Sequence, residues 1–178
     1  MKKNTPVKSI IVLLSICIFI AAAMAAINMV TAPKIAAAEK AAKEAALSTV
    51  LSENDGFEQL ELENLPESVT EVHKDKDGNG VVVVLAAKGY DSSKPISMAV
   101  GFDNDGKITA LHVISCSGET AGIGDKVGKE NFTSQFSGKD SSLDGIDAIS
   151  GATISSRAVL SSVKDAFVAF EMAKEVEQ

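Results

Sequence analysis

The segment with the most distinctive chemistry runs from Asp147 to Arg157 and reads DAISGATISSR. Its small residues lead into a helix-forming stretch, and its hydroxyl side chains fall at the predicted first turn of that helix. Exposed backbone N–H groups and the positive end of the helix dipole favour an anion there. The pattern predicts a phosphate site, faced by Arg157, the only arginine, one turn after Thr153. A serine-rich helix cap with Arg157 in solvent is the alternative.

A second segment, from Ser117 to Lys126, reads SGETAGIGDK and contains three glycines. Glycine permits backbone conformations and close approaches that a side chain would prevent. The loop is therefore suited to bring its backbone against a flat or phosphorylated ligand. Considered by itself, the segment also fits a purely structural turn.

Residue types that bind metals elsewhere show no such pattern in this sequence. The stretch from Asp75 to Gly80 begins like a calcium-binding EF-hand loop, but its twelfth position, which requires a bidentate Glu, is Ala86. His73 and His112 each lack a second ligand at a metal-binding spacing. We predict neither a metal site nor a catalytic residue.

The elements that must position these segments are predicted from apolar runs separated by turns rich in Asp, Asn and Gly. Such runs predict two consecutive hairpins and hence an antiparallel meander. The runs are Ser68–Val72, Val81–Ala87, Ile96–Phe102 and Lys107–Ser115. A helix is predicted from Ser155 to Lys174, with one apolar face to lie across the sheet. This face consists of Val159, Val163, Phe167 and Phe170. The predicted fold class is α+β.

An apolar stretch of 21 residues without a charge runs from Ile10 to Val30. As a helix rising about 1.5 Å per residue it spans roughly 30 Å, the thickness of the hydrocarbon core of a bilayer. The sequence therefore predicts one N-terminal transmembrane helix. A cleaved signal peptide is the alternative, because basic residues precede the stretch and small residues from Ala21 to Ala26 offer cleavage sites.

Lysines on the two sides of this helix are equal in number, so they do not set its orientation. The residues before the helix form a short tail, whereas a large acidic domain is translocated largely regardless of charge. We therefore expect a single-pass protein of the cell membrane with its C-terminal domain outside the cytoplasm. The predicted parts are a cytoplasmic tail (1–9), the transmembrane helix (10–30), a helical stalk or linker that stops at Asn54, Asp55 and Gly56 (31–55), and the extracytoplasmic domain (56–178).

Length, charge and cysteine count exclude several classes of protein. The 178 residues suit one domain beside a membrane helix, which excludes a multidomain enzyme. Lys and Arg total 17 against 24 Asp and Glu, a net charge of -7, so no nucleic-acid partner is expected. Cys17 and Cys116 are too far apart and too few for a disulfide framework, and no cationic residue closely flanks Cys116 to activate it.

The sequence from Asp147 to Thr153, DAISGAT, resembles the flavinylation motif D-x-x-[S/T]-G-A-T of the FMN-binding domain family. In that family the final threonine is joined through a phosphoester to the ribityl phosphate of FMN. The resemblance implies covalent FMN on the hydroxyl of Thr153, with Ser150 at the motif's hydroxyl position. It further implies that a separate flavin transferase attaches the FMN, that Gly151 and Ala152 are small to admit this enzyme, and that Asp147 is part of its recognition signal.

The glycine-rich loop resembles the E-T-P-G-x-G segment of the same family, with Ala121 in place of the proline. The resemblance implies that Glu119 and Thr120 are candidates for hydrogen bonds to the flavin ring, and that Gly122 and Gly124 belong to the binding loop. Two further segments resemble the family, so the likeness extends from residue 89 to residue 168. They are Gly89-Tyr90 and Asn131–Lys139.

Within this family, a chain of this length with one membrane helix is most similar to the G subunits of Rnf-type ion-translocating electron-transport complexes. The related C subunits of sodium-pumping NADH:quinone oxidoreductases are longer. Rnf complexes pass electrons between ferredoxin and NAD and couple this flow to sodium or proton movement. The resemblance implies an electron-carrier subunit that is not catalytic alone, with other membrane subunits, a flavin transferase and membrane lipid as partners. A stand-alone exported FMN reductase and a flavin-free anchored interaction module are the alternatives.

Overall fold

The computed structural model of the protein describes residues 5–51 and 56–176. The chain divides into two compact units, Met1–Ala41 and Ala42–Gln178. The first four residues of the predicted tail and the predicted stop residues Asn54 and Asp55 lie outside the described residues.

Helix α1 runs without interruption from Thr5 to Val50, through both the predicted span and most of the predicted stalk. Pro33 lies inside it and has no N–H to donate to the carbonyl of Met29. From Val7 to Ile35 the large apolar side chains that the structure describes are at least half exposed, from 50% for Ile16 to 78% for Met29. By length and composition this helix is long and apolar enough to cross a membrane.

The second unit contains a five-stranded antiparallel sheet in which sequence order and spatial order coincide. The strands are β1 (Phe57–Leu60), β2 (Val69–Asp75), β3 (Gly80–Ala87), β4 (Ile96–Asp103) and β5 (Ile108–Ser115). The predicted meander and the α+β class are confirmed. The short edge strand β1 was not predicted, because its four residues carry little alternation and it forms by pairing with β2.

Both faces of this sheet are covered, which explains the unbroken valine run of β3. Val81, Val83 and Leu85 point into the larger core, beneath helix α3 (Thr153–Glu175). The predicted apolar face of α3 is buried there, and Phe170 and Phe167 contact the ring of Phe102 at centroid distances of 5.0 and 4.9 Å. Val82 and Val84 point to the opposite face and pack in a second, smaller core.

The last turns of α1 form that second core, with Ala46, Leu47 and Val50 against the sheet. Gly101 of β4 allows the end of α1 to approach the sheet closely, because a Cβ at this position would lie only 2.6 Å from the Val50 carbonyl oxygen. The Thr109 hydroxyl donates a 2.6 Å hydrogen bond to the same carbonyl. The compact unit therefore starts at Ala42, within the segment that the sequence indicated as stalk or linker.

Short elements connect β5 to α3 and carry the glycine-rich loop. They are two 3-10 helices, Gly124–Gly128 and Ser134–Phe136, on either side of the four-residue helix α2, Glu130–Thr133. Phe132 and Phe136 extend from this connection into the main core, where both are buried. Their rings contact each other edge to face, with centroids 5.5 Å apart. These two aromatic side chains fix an otherwise irregular segment to the sheet.

Candidate functional site

The two segments singled out in the sequence meet in one cleft of about 270 Å³. Residues from the loop after β5 form one side of it, and the start of α3 forms the other. The lining residues are Tyr90, Thr120, Ile123, Gly124, Gly151, Ala152, Thr153, Ile154 and Ser155. Of the predicted site residues, the fold thus brings together Thr120, Gly124, Gly151, Ala152 and Thr153.

Thr153 is the first residue of α3, and its side chain is exposed. The residue before it, Ala152, occupies the N-cap position, and no described side chain caps the helix. The first intrahelical bond is donated by Ser156 to the Ala152 carbonyl, so the N–H groups of the three preceding residues have no acceptor within the helix. An exposed hydroxyl therefore stands beside N–H donors that have no acceptor among the described residues, as an anion site requires.

The serines that follow Thr153 are buried and do not form the serine-rich cap that the sequence also allowed. The Ser156 hydroxyl accepts a 3.0 Å hydrogen bond from the Ile149 N–H and donates one of 3.0 Å to the Ala152 carbonyl. Ser155 is 3% exposed, and its hydroxyl donates to Glu119. These bonds fix the segment that precedes α3, and the N-cap residue is Ala152, whose side chain cannot accept a hydrogen bond.

The rest of the motif forms a tight, exposed approach to the helix. Gly151 has φ +80°, a left-handed conformation that other residues rarely adopt, while Ala152 is buried. Ser150 and Asp147 are exposed, and the Asp147 N–H donates to the Gln135 side-chain oxygen at 2.8 Å. The motif is thereby held against the preceding connection while the side chains of Ser150 and Asp147 remain accessible.

Glu119 is 8% exposed and both of its carboxylate oxygens are engaged within the protein. Oε1 accepts a 2.9 Å hydrogen bond from the Tyr90 N–H, and Oε2 accepts one from the Ser155 hydroxyl. A Cβ on Gly89 would collide with Oε1, and a Cβ on Gly124 would lie 2.8 Å from Oε2. The carboxylate therefore ties three segments of the site together, and these two glycines make room for it.

Around Thr120 the loop turns sharply, and its backbone closes on one carbonyl. The Thr120 carbonyl accepts hydrogen bonds from the N–H groups of Ile123, Gly124 and Asp125, at 3.1, 2.8 and 3.3 Å. Gly122 has φ +75° and open space around it. The turn at Gly122 and the shared Thr120 carbonyl therefore shape this side of the cleft, where the Thr120 side chain is exposed.

Arg157 is exposed on α3, four residues after Thr153, and does not line the cleft. Its role at the anion site therefore stays a prediction.

Cys116 lies under the loop, half-buried, with its sulfur 3.8 Å from the Asp125 carbonyl. Burial, followed by the charges of Asp125 and Glu119, raises the pKa of the Cys116 thiol, which disfavours the reactive thiolate.

Three exposed apolar residues at the cleft escaped the sequence analysis as site residues. Tyr90 is 69% exposed, Ile154 58% and Ile123 45%. Each follows or lies within a predicted segment, yet its exposure depends on how those segments meet. The Gly89-Tyr90 pair was the one available signal, because in sequence it resembles a segment of the FMN-binding domain family.

The site thus combines an exposed hydroxyl, an uncapped helix start and a partly apolar cleft on an antiparallel sheet, the features of a domain that holds a phosphate-bearing planar group. Residues 89–168 match the FMN-binding domain family, which confirms the predicted resemblance. The matched region contains the motif, the glycine-rich loop and Tyr90.

Comparison with individual proteins gives a curated relative and a solved structure. The chain is 28% identical over 153 residues to the G subunit of the proton-translocating ferredoxin:NAD(+) oxidoreductase complex of Clostridium ljungdahlii, with 80% of each chain covered. The crystal structure of Shewanella oneidensis NqrC is 26% identical with a TM-score of 0.46. That alignment covers 58% of this chain and 65% of the NqrC chain, just under two thirds.

Proposed function

We propose that this protein is a membrane-anchored electron-transfer subunit of an ion-translocating complex and carries FMN on Thr153. One observation carries the proposal: the threonine of the matched motif is exposed at an uncapped helix start, inside a cleft shared with the glycine-rich loop. The similarity to the G subunit of a ferredoxin:NAD(+) oxidoreductase complex, over 80% of the chain, supports the role in such a complex.

The described residues fit a flavin phosphate at this position. The unpaired N–H groups at the start of α3 favour negative charge, and the hydroxyl of Thr153 makes no hydrogen bond to a described residue. The nearby carboxylate of Glu119 is buried, with both oxygens hydrogen-bonded, and does not compete for that hydroxyl. The apolar residues of the rim suit a planar ring system.

Thr153 supplies a hydroxyl without a base to activate it among the residues lining the cleft. Attachment therefore requires a flavin transferase that brings the activating group, for which the exposed Asp147 and Ser150 are accessible recognition points. When bound, FMN supplies one- and two-electron chemistry, while the protein sets its orientation and surroundings. A covalent link keeps a carrier outside the cytoplasm loaded and at high effective concentration near its partners.

The apolar first part of α1 serves as the membrane anchor in this proposal. Its exposed side chains contact lipid and the other membrane subunits of the complex. The domain that begins at Ala42 lies outside the cytoplasm, since a large acidic domain translocates largely regardless of its charge. The whole is a single-pass protein of the cell membrane.

The first prediction concerns the attachment point. After coexpression with a flavin transferase, the full chain gains the mass of FMN less water, and peptide mapping finds it on the Asp147–Arg157 peptide. Thr153→Ala removes this mass and changes the free energy of unfolding by less than about 0.5 kcal/mol, because the side chain is exposed and makes no cap.

The matched control is Thr49→Ala, another exposed threonine of a helix, which lies outside the cleft and retains the flavin. Covalent flavin on the Thr153→Ala chain contradicts the assignment of this residue. An unmodified wild-type chain, under conditions that load a known acceptor domain, contradicts the proposed function and favours a flavin-free interaction module.

A further inference from the structure

Tyr90 is an exposed aromatic residue whose backbone N–H is hydrogen-bonded to the buried Glu119 carboxylate. It is the only tyrosine in a chain that has no tryptophan, and 69% of its surface is exposed. A large aromatic side chain that stays in solvent forgoes the burial that stabilises such residues elsewhere. With the exposed Ile123 and Ile154 in the same cleft, Tyr90 forms an apolar surface that a ligand can cover.

Glu119 fixes the position from which this ring projects. Its Oε1 accepts the Tyr90 N–H at 2.9 Å, and its Oε2 accepts the hydroxyl of Ser155, two residues after Thr153. Gly89 lets the carboxylate approach, because any Cβ there would collide with Oε1. The backbone of Tyr90 is thus coupled to the first turn of α3, on which the attachment threonine lies.

The surroundings of Tyr90 define what covers it. The residue lines the same cleft as Thr153, together with Ile123 and Ile154, both of which are also exposed and apolar. A planar aromatic group held at Thr153 by a flexible chain meets one aromatic ring and two aliphatic side chains in this cleft. The ring of a flavin has this character, and planar π systems favour offset or edge contacts with aromatic side chains.

We infer that Tyr90 is the residue on which the isoalloxazine ring of the bound flavin rests, and that Glu119 is a positioning residue that holds Tyr90 there. This inference rests on the proposed function and deepens it. Glu119 thus acts through Tyr90 and does not contact the ring directly, since each of its carboxylate oxygens already accepts an internal hydrogen bond. A ring seated on the cleft keeps its other face accessible to redox partners.

The test uses flavin emission and the access of iodide to the flavin, measured on the full chain loaded by coexpression. Iodide quenching is expressed as the bimolecular rate constant, the Stern–Volmer constant divided by the emission lifetime, because a longer lifetime by itself raises the Stern–Volmer constant. A tyrosine in contact with an excited flavin quenches its emission by donating an electron that then returns, whereas phenylalanine does not donate. Tyr90 is the only such donor in the chain, because tryptophan is absent and no second tyrosine exists. Loading on Thr153 is measured separately by mass.

Tyr90→Leu is expected to raise the flavin emission severalfold and to raise iodide quenching, because the stacked population falls by about 2- to 12-fold. Tyr90→Phe is expected to raise the emission while iodide quenching stays at the wild-type level, since a ring remains to stack on. Val168→Ala, at an exposed apolar residue of α3 outside the cleft, changes neither quantity.

Equal loading with unchanged emission in Tyr90→Leu and Tyr90→Phe overturns the role of Tyr90 and leaves the proposed function intact. A wild-type chain without FMN overturns both. If Tyr90→Leu does not load, Tyr90→Phe decides: raised emission with wild-type iodide quenching supports the inference, and unchanged emission overturns it.

Discussion

At the scale of single residues, one buried carboxylate connects the segments that form the cleft. Glu119 bonds the backbone of Tyr90 and the hydroxyl of Ser155, residues 29 and 36 positions away along the chain. A buried donor that loses its acceptor costs more than the hydrogen bond contributed, because it loses its hydration without compensation. Glu119 therefore contributes both to stability and to the geometry of the cleft.

We predict that Glu119→Ala lowers the free energy of unfolding by about 1 to 3 kcal/mol, because the Tyr90 N–H and the Ser155 hydroxyl lose their acceptor. Glu119→Gln keeps one oxygen acceptor and is expected to lose less. Denaturant unfolding of the variants measures both values. Glu130→Ala, at an exposed carboxylate of α2, is the control and should stay within about 0.5 kcal/mol of wild type. Equal stabilities for Glu119→Ala and Glu130→Ala contradict this role.

At the scale of elements, the end of α1 is fastened to the sheet by charge as well as by apolar packing. The Lys43 ammonium lies 2.7 and 2.8 Å from the two carboxylate oxygens of Glu71 on β2. His73, two residues further along the same strand, is 2.8 Å from Glu71 through Nε2. Partial burial opposes ionisation of Glu71, but the hydrogen bonds from Lys43 and His73 prevail and lower the pKa of that carboxyl.

The direction of this shift predicts how stability depends on pH. A carboxyl with a lowered folded-state pKa adds stability above its unfolded pKa of about 4.3, and this stability is lost as the pH falls through the folded pKa. Glu71→Gln is therefore expected to unfold more easily at neutral pH, by up to about 1 kcal/mol, and to show a smaller loss of stability on acidification.

Thermal unfolding between neutral and acidic pH measures the difference between Glu71→Gln and wild type. Glu67→Gln is the control, because Glu67 pairs with Lys88 at a fully exposed position where solvent weakens the interaction. A pH profile of Glu71→Gln that coincides with the wild-type profile would show that the contact between α1 and β2 is held by apolar packing alone.

At the scale of the whole molecule, the N-terminal helix decides whether the protein stays in the membrane. The anchor interpretation predicts that the full chain resists extraction with alkaline carbonate and retains residues 1–30 in its intact mass. Protease added outside the cytoplasm should digest the domain in spheroplasts and leave it intact in inverted vesicles. A mature chain that begins within Ala21–Ala26 would instead establish the cleaved signal peptide.

The sequence by itself determined the elements whose residues carry a local period or a fixed spacing. The two hairpins, the apolar face of α3, the apolar N-terminal span and the D-x-x-S-G-A-T motif are all readable within short windows, because each depends on neighbours close along the chain. The edge strand β1 and the docking of the end of α1 were missed, since both arise only from pairing or packing against β2 to β5.

Only the tertiary structure decided how the site is assembled. The sequence made Glu119 a candidate contact of the flavin ring, and the fold places its carboxylate between the Tyr90 N–H and the Ser155 hydroxyl. The exposure of Tyr90 and the uncapped position of Thr153 likewise follow from three distant segments meeting in one cleft. A sequence motif specifies which atoms are available for bonding, whereas their burial and partners depend on contacts between residues far apart along the chain.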